Sequence, residues 1–308
     1  MQTCYFAVDL GGTTVKMACF RETTLLHKWE IPTVKEDGGR QILPDIAASI
    51  AEYIEKNQIA PVGGIGIGVP GPVSGDGVVN HCINLGWGVF NICDELSRLT
   101  GFPVKAGNDA TVAALGECVH GGGKGAKNMV LVTLGTGVGG GIVIDGKIVE
   151  GAHGAGGEIG HIVLNRNETE PCGCGNKGCA EQYCSATGIV RTAKKLLAQT
   201  DKISVLRKED LTCKDVFDAK DDPVAKEVLE QVYDDLAMLI ANVCNTVNPD
   251  TVVIGGGVSK AGASLIDGIK SHISKYIFHG AEEVALSLAT LGNDAGVYGA
   301  LELIRKGE

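Results

Sequence analysis

Apolar positions along the chain follow two rhythms. Short runs are apolar almost throughout, and longer stretches carry an apolar residue every third or fourth position. Tyr5-Phe-Ala-Val-Asp9 and Val15-Lys-Met-Ala-Cys-Phe20 read as strands. Only Leu10-Gly-Gly-Thr-Thr14 separates them, which is too short for a helix and predicts a hairpin. From Gln41 to Ile54, Ile42, Ile46, Ile50 and Ile54 mark one helix face. Gly64-Ile-Gly-Ile-Gly-Val69 predicts a buried strand that ends in the turn Pro70-Gly71-Pro72. Val104-Lys-Ala106 predicts another strand, after which Asn108-Asp109 cap a helix starting at Ala110.

The opening pattern then recurs. Met129-Val-Leu-Val-Thr-Leu134 reads as a strand, Gly135-Thr-Gly-Val-Gly-Gly-Gly141 as a loop, and Ile142-Val-Ile144 as a return strand. Asp145-Gly146 predicts a hairpin turn into Lys147–Glu150. Ser185 caps a predicted helix through Gln199. The longest helix is expected from Pro223 to Val247, with Val228, Val232, Leu236, Leu239 and Val243 on one face. Thr251-Val-Val-Ile254 reads as a last buried strand before Gly255-Gly-Gly257, and Gly296–Ile304 as a closing helix. Two strand–Gly loop–strand units, at 5–20 and 129–144, suggest two related α/β lobes with a cleft between them. The boundaries expected are an N-terminal lobe over 1–117, a second lobe over 118–292, and a terminal helix over 293–308 packing back onto the first.

At 308 residues the chain is long enough for two such lobes. No run of eighteen apolar residues is present, so no membrane span is expected. The first residues show no secretory leader, and a cytoplasmic protein is expected. A formal charge of −10 without a Lys/Arg run argues against a nucleic-acid partner. The 45 glycines are about twice the usual share. They cluster at strand ends, where backbone approaches a ligand or takes positive φ.

Eleven cysteines are present, eight of them scattered singly in apolar or mixed stretches and read as structural thiols. The other three, Cys172, Cys174 and Cys179, follow Glu158-Ile-Gly-His161 and have C-x-C-x4-C spacing. With His161 they supply the four ligands of a tetrahedral, closed and therefore structural Zn²⁺ site. Such a clip would fix Glu158, His161 and Glu181 around one small loop as a rigid polar pocket.

Gly135-x-Gly137-x-x-Gly140 matches a dinucleotide fingerprint in letters only, because a strand follows it where a Rossmann loop opens a helix. No P-loop run is present either. Two Gly/Thr hairpins, Gly11-Gly12-Thr13-Thr14 and Gly135-Thr136-Gly137, offer backbone N–H groups and hydroxyls to phosphate oxygens, which points to a nucleoside triphosphate. Asp9, just before the first hairpin, is a hard ligand suited to Mg²⁺. Asp109 sits where a helix dipole would keep it ionised, ready to take a proton from a hydroxyl that attacks a phosphoryl group. Asn108 offers a donor and an acceptor to vicinal hydroxyls.

Asp9-Leu-Gly-Gly-Thr13, Asn108-Asp109-Ala, Leu134-Gly-Thr-Gly-Val-Gly-Gly-Gly141, Glu158-x-Gly-His161 and the cysteine run ending at Glu181 together resemble the ROK family of repressors and sugar kinases. The resemblance covers essentially the whole chain and, with Gly154-Ala-Gly-Gly-Glu-Ile-Gly-His161 and Ser185-Ala-Thr-Gly-Ile-Val-Arg191, is strongest to bacterial ATP-dependent glucokinases. It implies the two-lobed, actin-like (ribonuclease H-like) α/β ATPase fold and phosphorylation of D-glucose at its 6-hydroxyl by ATP with Mg²⁺. Asp109 would be the general base. Asn108 and Asp109 would bind hydroxyls near the reacting end of the sugar, and Glu158, His161 and Glu181 those near the anomeric end. Gly71 would contribute backbone, and Gly255, Gly256 and Gly257 would lie against adenosine. A homodimer is implied as well. The family's repressors carry an N-terminal helix-turn-helix, while this sequence starts almost directly on its first strand, which favours the kinase branch. The alternatives are a kinase for N-acetylmannosamine, N-acetylglucosamine, fructose or allose, or a sugar sensor without catalysis.

Overall fold

The computed structural model describes residues 2–305. The chain divides into two compact units, one formed by 1–127, 141–157 and 293–308, the other by 128–140 and 158–292.

The first unit opens with the expected hairpin, β1 (Cys4–Leu10) and β2 (Thr14–Arg21), and adds an edge strand, β3 (Thr24–Pro32). A left-handed turn, α1 (Glu36–Gly39), leads into α2 (Ile42–Asn57) and β4 (Val62–Val69). The short pair β5 (Val78–Val79) and β6 (Phe90–Asn91) precedes α3 (Ile92–Thr100), β7 (Val104–Asn108) and α4 (Asp109–His120). The sheet order is β3-β2-β1-β4-β7, with β1, β4 and β7 parallel.

β1 is buried on both faces, and the two-residue period of a strand sorts its side chains. Cys4, Phe6, Val8 and Leu10 face a core shared with Ile42, Ile46 and Ile50 of α2 and Leu96 of α3. Tyr5 and Ala7 face a second core with Val112 of α4 and Val297, Ala300, Leu301 and Ile304 of α10 (Ala295–Arg305). Close packing of α10 needs glycine. A Cβ on Gly66 would lie 1.8 Å from the Ala300 carbonyl oxygen, and one on Gly299 would lie 1.7 Å from the Val112 carbonyl oxygen. The last three residues of the helix expected over 293–308 lie outside the described residues.

A boundary at Glu117 would cut through α4, whose buried face (Val112, Leu115, Cys118) belongs to one continuous helix. The first unit instead runs to residue 127 and takes in 141–157 as well. A Cβ on Gly141 would sit 2.5 Å from Ala114 Cβ, which shows how tightly that returning segment meets α4.

The other five-stranded sheet has the order β10-β9-β8-β11-β12. Its strands are β8 (Met129–Leu134), β9 (Val138–Ile144), β10 (Lys147–Ile148), β11 (Thr251–Gly255) and β12 (Ala285–Leu288). β8, β11 and β12 are parallel. The expected loop over 135–141 is shorter than its glycines suggested, because Gly139, Gly140 and Gly141 lie in β9. Asp145 and Gly146 both take positive φ in the β9–β10 turn, as a tight hairpin requires. The second unit's helices are α5 (Glu181–Cys184), α6 (Ala186–Gln199), α7 (Cys213–Asp218), α8 (Pro223–Val247) and α9 (Ala263–Ile273). Ser185 caps α6 as expected, its hydroxyl accepting from Gly188 N–H, and α8 covers the expected span, with Asp222 as a cap that the sequence reading does not name. No helix among the described residues is long and apolar enough to cross a membrane.

Candidate active site

In each unit the predicted glycine loops lie at the carboxyl ends of parallel strands, where open α/β sheets hold ligands. Asp9 lies near the end of β1, opposite Gly68 of β4, and Val69 pairs with Asn108 at the end of β7. Asn108 is the cap of α4: its Oδ1 accepts from Ala110 N–H at 3.0 Å and Thr111 N–H at 3.2 Å. Its amide donates to the Gly71 carbonyl at 3.0 Å and to Asp109 Oδ1 at 3.1 Å. The same carboxylate oxygen accepts from Ala110 N–H at 2.8 Å. Both of these neighbours bond Oδ1, so Oδ2 is the oxygen they leave open to a proton.

Burial works against the helix start at Asp109. Burial raises its carboxyl pKa, the Ala110 N–H offsets part of this, and nearby Asp9 raises it further. The outcome is a more basic carboxylate. Asp9 is also raised, chiefly by burial, despite Lys16 Nζ at 3.4 Å. Lys16 has no part in the sequence reading, although its register is legible once the hairpin is drawn: Asp9 and Lys16 face each other across β1 and β2. Its ammonium also donates to the Asn293 carbonyl at 3.1 Å. A Cβ on Gly296 would fall 2.5 Å from Asp9 Cγ, so the second residue of α10 is glycine where the helix passes the carboxylate.

The first Gly/Thr hairpin is held by Gly11 N–H to the Thr14 carbonyl at 3.0 Å and by the Thr33 hydroxyl to the Gly11 carbonyl at 2.8 Å. At Gly12, Gly135 and Gly257 an added Cβ would meet no atom within 4 Å, and none of the three takes positive φ. The fold itself does not require glycine there. Leaving out the side chain keeps space free beside the backbone N–H groups, as a phosphate or nucleoside would need.

In the second unit Gly135-Thr136-Gly137 follows β8 and Gly255-Gly256-Gly257 ends β11, with Gly255 paired to Thr133. Gly256 has φ +82, and a Cβ there would strike the Leu134 carbonyl oxygen at 2.4 Å, bringing the two loops together. The first loop is anchored to the start of α6 by Ala186 N–H to the Gly135 carbonyl (2.8 Å) and the Thr187 hydroxyl to the Thr136 carbonyl (2.7 Å). Ala186, Cys213, Phe217, Gly257, Val258 and Lys260 line a cavity of about 330 Å³.

Glu181 connects this loop to the cysteines. Its Oε2 accepts from Val138 N–H at 3.1 Å, and Cys172 Sγ donates to its Oε1 at 3.5 Å. A Cβ on Gly137 would lie only 2.3 Å from Oε2, so glycine is what lets the carboxylate reach the backbone. One ligand atom each from His161, Cys172, Cys174 and Cys179 lies within 4.8 Å of all the others. The Cys174 and Cys179 sulfurs are 3.7 Å apart, close to the roughly 3.8 Å edge of a tetrahedron with 2.3 Å Zn–S bonds. His161 Nδ1 is buried without a hydrogen-bond partner among the described residues, and Nε2 stands 3.8 Å from Glu158 Oε2. An orphaned nitrogen beside three convergent thiols fits a metal ion. Gly178, at φ +78, turns the chain so that Cys179 rejoins the loop at Val163.

The structure therefore gathers Asp9, Gly11–Thr14, Gly71, Asn108 and Asp109 in the first unit. It gathers Gly135–Gly137, Glu158, His161, the three cysteines, Glu181 and Gly255–Gly257 in the second. Two open sheets with glycine loops at the carboxyl ends of their parallel strands define the two-lobed, actin-like α/β ATPase fold. The ROK family pattern matches residues 5–307, and the chain belongs to that family. It is 45% identical to a glucokinase of Halalkalibacterium halodurans, over 99% of this chain and 96% of that protein. Among solved structures it is similar to a ROK hexokinase from Thermus thermophilus (TM-score 0.83, 29% identity, 99% of both chains). It is also similar to a ROK glucokinase from Streptomyces griseus in complex with glucose and AMPPNP (TM-score 0.73, 30% identity, 99% of this chain and 100% of that one).

Proposed function

We propose that the protein is an ATP-dependent glucokinase, transferring the γ-phosphoryl group of ATP to the 6-hydroxyl of D-glucose. The observation that carries this reading is the Asp109 carboxylate, made more basic by burial and fixed through Oδ1 at the start of α4. In the reaction Asp109 takes the proton of the 6-hydroxyl as that oxygen attacks phosphorus, and ADP leaves. Asn108, already bonded to the Gly71 carbonyl, holds hydroxyls at the reacting end of the sugar. Glu158, His161 and Glu181 take those near the anomeric end. Gly11–Thr14 and Gly135–Gly137 receive the phosphates, and adenosine occupies the cavity beside Gly257. Asp9 would hold Mg²⁺, which neutralises phosphate charge when bound.

The family relationship and the glucokinase at 45% identity support this substrate. Zinc fits the His161–Cys172–Cys174–Cys179 set, with His161 ligating through Nδ1 and keeping Nε2 for the sugar. Four protein ligands leave no open position, so the ion would brace the loop and supply no nucleophile. The test is ADP release from purified protein with ATP·Mg²⁺ and a panel of glucose, mannose, fructose, allose and N-acetylhexosamines. The highest kcat/KM is expected for glucose. Preference for an N-acetylhexosamine would overturn the substrate, and no turnover with any sugar would overturn the kinase.

A further inference from the structure

Between His161 and Cys172 the chain leaves the metal cluster and is tied down by a polar network that the reaction does not use. At its centre is Glu168, whose side chain is only 7% exposed. It accepts from Arg191 Nη2 at 2.6 Å, from the Tyr183 hydroxyl at 2.7 Å, and from the N–H groups of Thr169 and Glu170 at 2.9 and 3.0 Å. Burial alone would raise this carboxyl. The Glu170 N–H, Tyr183 and Arg191 outweigh it and hold the pKa at about 2.

Arg191, on α6, uses the rest of its fork elsewhere. Nε donates to Glu170 Oε2 at 2.8 Å and Nη1 to the Gln182 carbonyl at 3.3 Å, with the guanidinium 5.7 Å from the centre of the Tyr183 ring. Gln182 completes the circuit: its Oε1 accepts from Gly178 N–H at 2.8 Å and Cys179 N–H at 3.2 Å, and its Nε2 donates to the Glu170 carbonyl at 3.0 Å. Hydrogen bonds thus run unbroken from α6 to the backbone of a cysteine in the metal cluster. The residue they hold in the middle, Gln182, is covalently joined to Glu181.

We infer that Arg191 is a positioning residue for the sugar site: acting through Gln182, it sets the Glu181 carboxylate and the cysteine loop in the geometry that binds sugar. This rests on the proposed reading of Glu181 as a sugar ligand. Arg191 itself touches no reacting group. Its planar fork serves three acceptors in different directions, which one lysine ammonium at the end of a flexible stem does not reproduce. Because Glu181 would contact ground state and transition state alike, disturbing it shifts sugar affinity and leaves the chemical step alone.

The experiment compares Arg191→Met, Arg191→Lys and wild type in steady-state kinetics with glucose and ATP, alongside zinc stoichiometry and zinc release to a chromogenic chelator. Arg191→Met is expected to raise the glucose KM about tenfold, the scale of one lost charge-assisted hydrogen bond. Its kcat and ATP KM should stay within about twofold of wild type. It should bind zinc at the wild-type stoichiometry and release it faster, and Arg191→Lys should recover only part of the glucose KM. Should Arg191→Met fail to fold, Gln182→Glu takes its place. It keeps the acceptor for Gly178 and Cys179 but loses the donor to Glu170, and the same selective rise in glucose KM is expected.

An unchanged glucose KM in a folded variant, or a fall in kcat at constant KM, overturns the inference while the glucokinase reading stands on the wild-type rate. A wild type inert towards every hexose removes the reading and the inference together.

Discussion

Replacing Gly137 with alanine puts one methyl group against the carboxylate that joins the two halves of the second unit's site. The added Cβ would start 2.3 Å from Glu181 Oε2, and real Cβ contacts essentially never fall under 3.0 Å. The obstructing atom is the tip of a flexible side chain, so relief is cheap for the fold: the carboxylate swings away. Gly137 does not take positive φ, so the backbone accepts alanine without strain. The retreat carries Oε2 away from Val138 N–H, now at 3.1 Å, because methyl and N–H approach the same oxygen. The displaced carboxylate finds water in place of that N–H, but it no longer stands where the sugar hydroxyl would meet it. One lost hydrogen bond to a charged group is worth roughly 1.5–3 kcal/mol, about ten- to hundredfold in sugar affinity. The expected variant is therefore folded, with nearly wild-type thermal stability and a glucose KM raised at least about tenfold. Steady-state kinetics with a thermal melt on the same sample provide the assay. A glucose KM within twofold of wild type would refute the role given to Glu181. A large drop in melting temperature would show that backbone moved and not the side chain.

Other outcomes follow from single groups. Asp109→Asn should lower kcat by roughly 10²–10⁴ while calorimetry still detects glucose binding; retained turnover would remove the base. Asp109 works only when deprotonated and its pKa is raised, so the acid limb of kcat/KM should lie above the ordinary aspartate range of about 3.9. Asp235, on α8, has a buried Oδ2 without a partner among the described residues, and burial, then Asp234, pushes its pKa up to about 7. Its folded value exceeds its unfolded one, so ionisation costs stability increasingly as pH rises from about 4 to about 7. Asp235→Asn should accordingly raise the melting temperature at pH 8, by up to a few kcal/mol of stability, with the gain closing towards pH 4. Cys174→Ser should reduce bound zinc and raise the glucose KM, and metal analysis with kinetics checks both.

Elements with strong internal signals were legible in the chain. The isoleucine face of α2, the apolar face of α8 behind Pro223, and the β1–β2 hairpin all satisfy local rules that agree with their tertiary surroundings. β3 and β12 carry no such signal. β3 is an edge strand whose residues are mostly exposed, and its aromatic ring stack is apparent only once Trp29 meets Tyr53 of α2 at 4.8 Å. The glycines of β9 mislead because Gly141 serves packing against α4 and Gly139 clears the Thr133 hydroxyl of β8, and spacing does not separate such uses from a loop. At the site, types and spacing are enough to single out His161, Cys172, Cys174 and Cys179, whose ligand atoms the fold brings together, but not Arg191 or Gln182. Those two act on residues up to 23 positions away, along bonds that exist only after the loop has closed. The pKa of Asp109 escapes the sequence for a related reason: helix-end electrostatics can be read from a cap, whereas burial is a property of the finished core.

The glycine-to-carbonyl contacts that seat α10 on the first sheet also bear on how the protein is made. During synthesis β1 and β2 emerge before β4 and β7, yet one of their faces waits for the last described helix. Until residues 295–305 leave the ribosome, Tyr5, Ala7, Ala18, Phe20 and Val112 lack Val297, Ala300, Leu301 and Ile304, the part of their core that α10 supplies. The first unit is thus started early and closed late, with the whole second unit translated in between. A nascent chain stalled near residue 290 would present a formed sheet with a bare apolar face, the kind of surface that chaperones hold. A chain broken off ahead of residue 295 would then suffer more in the sheet of β1, β2 and β4 than in the helices next to the break.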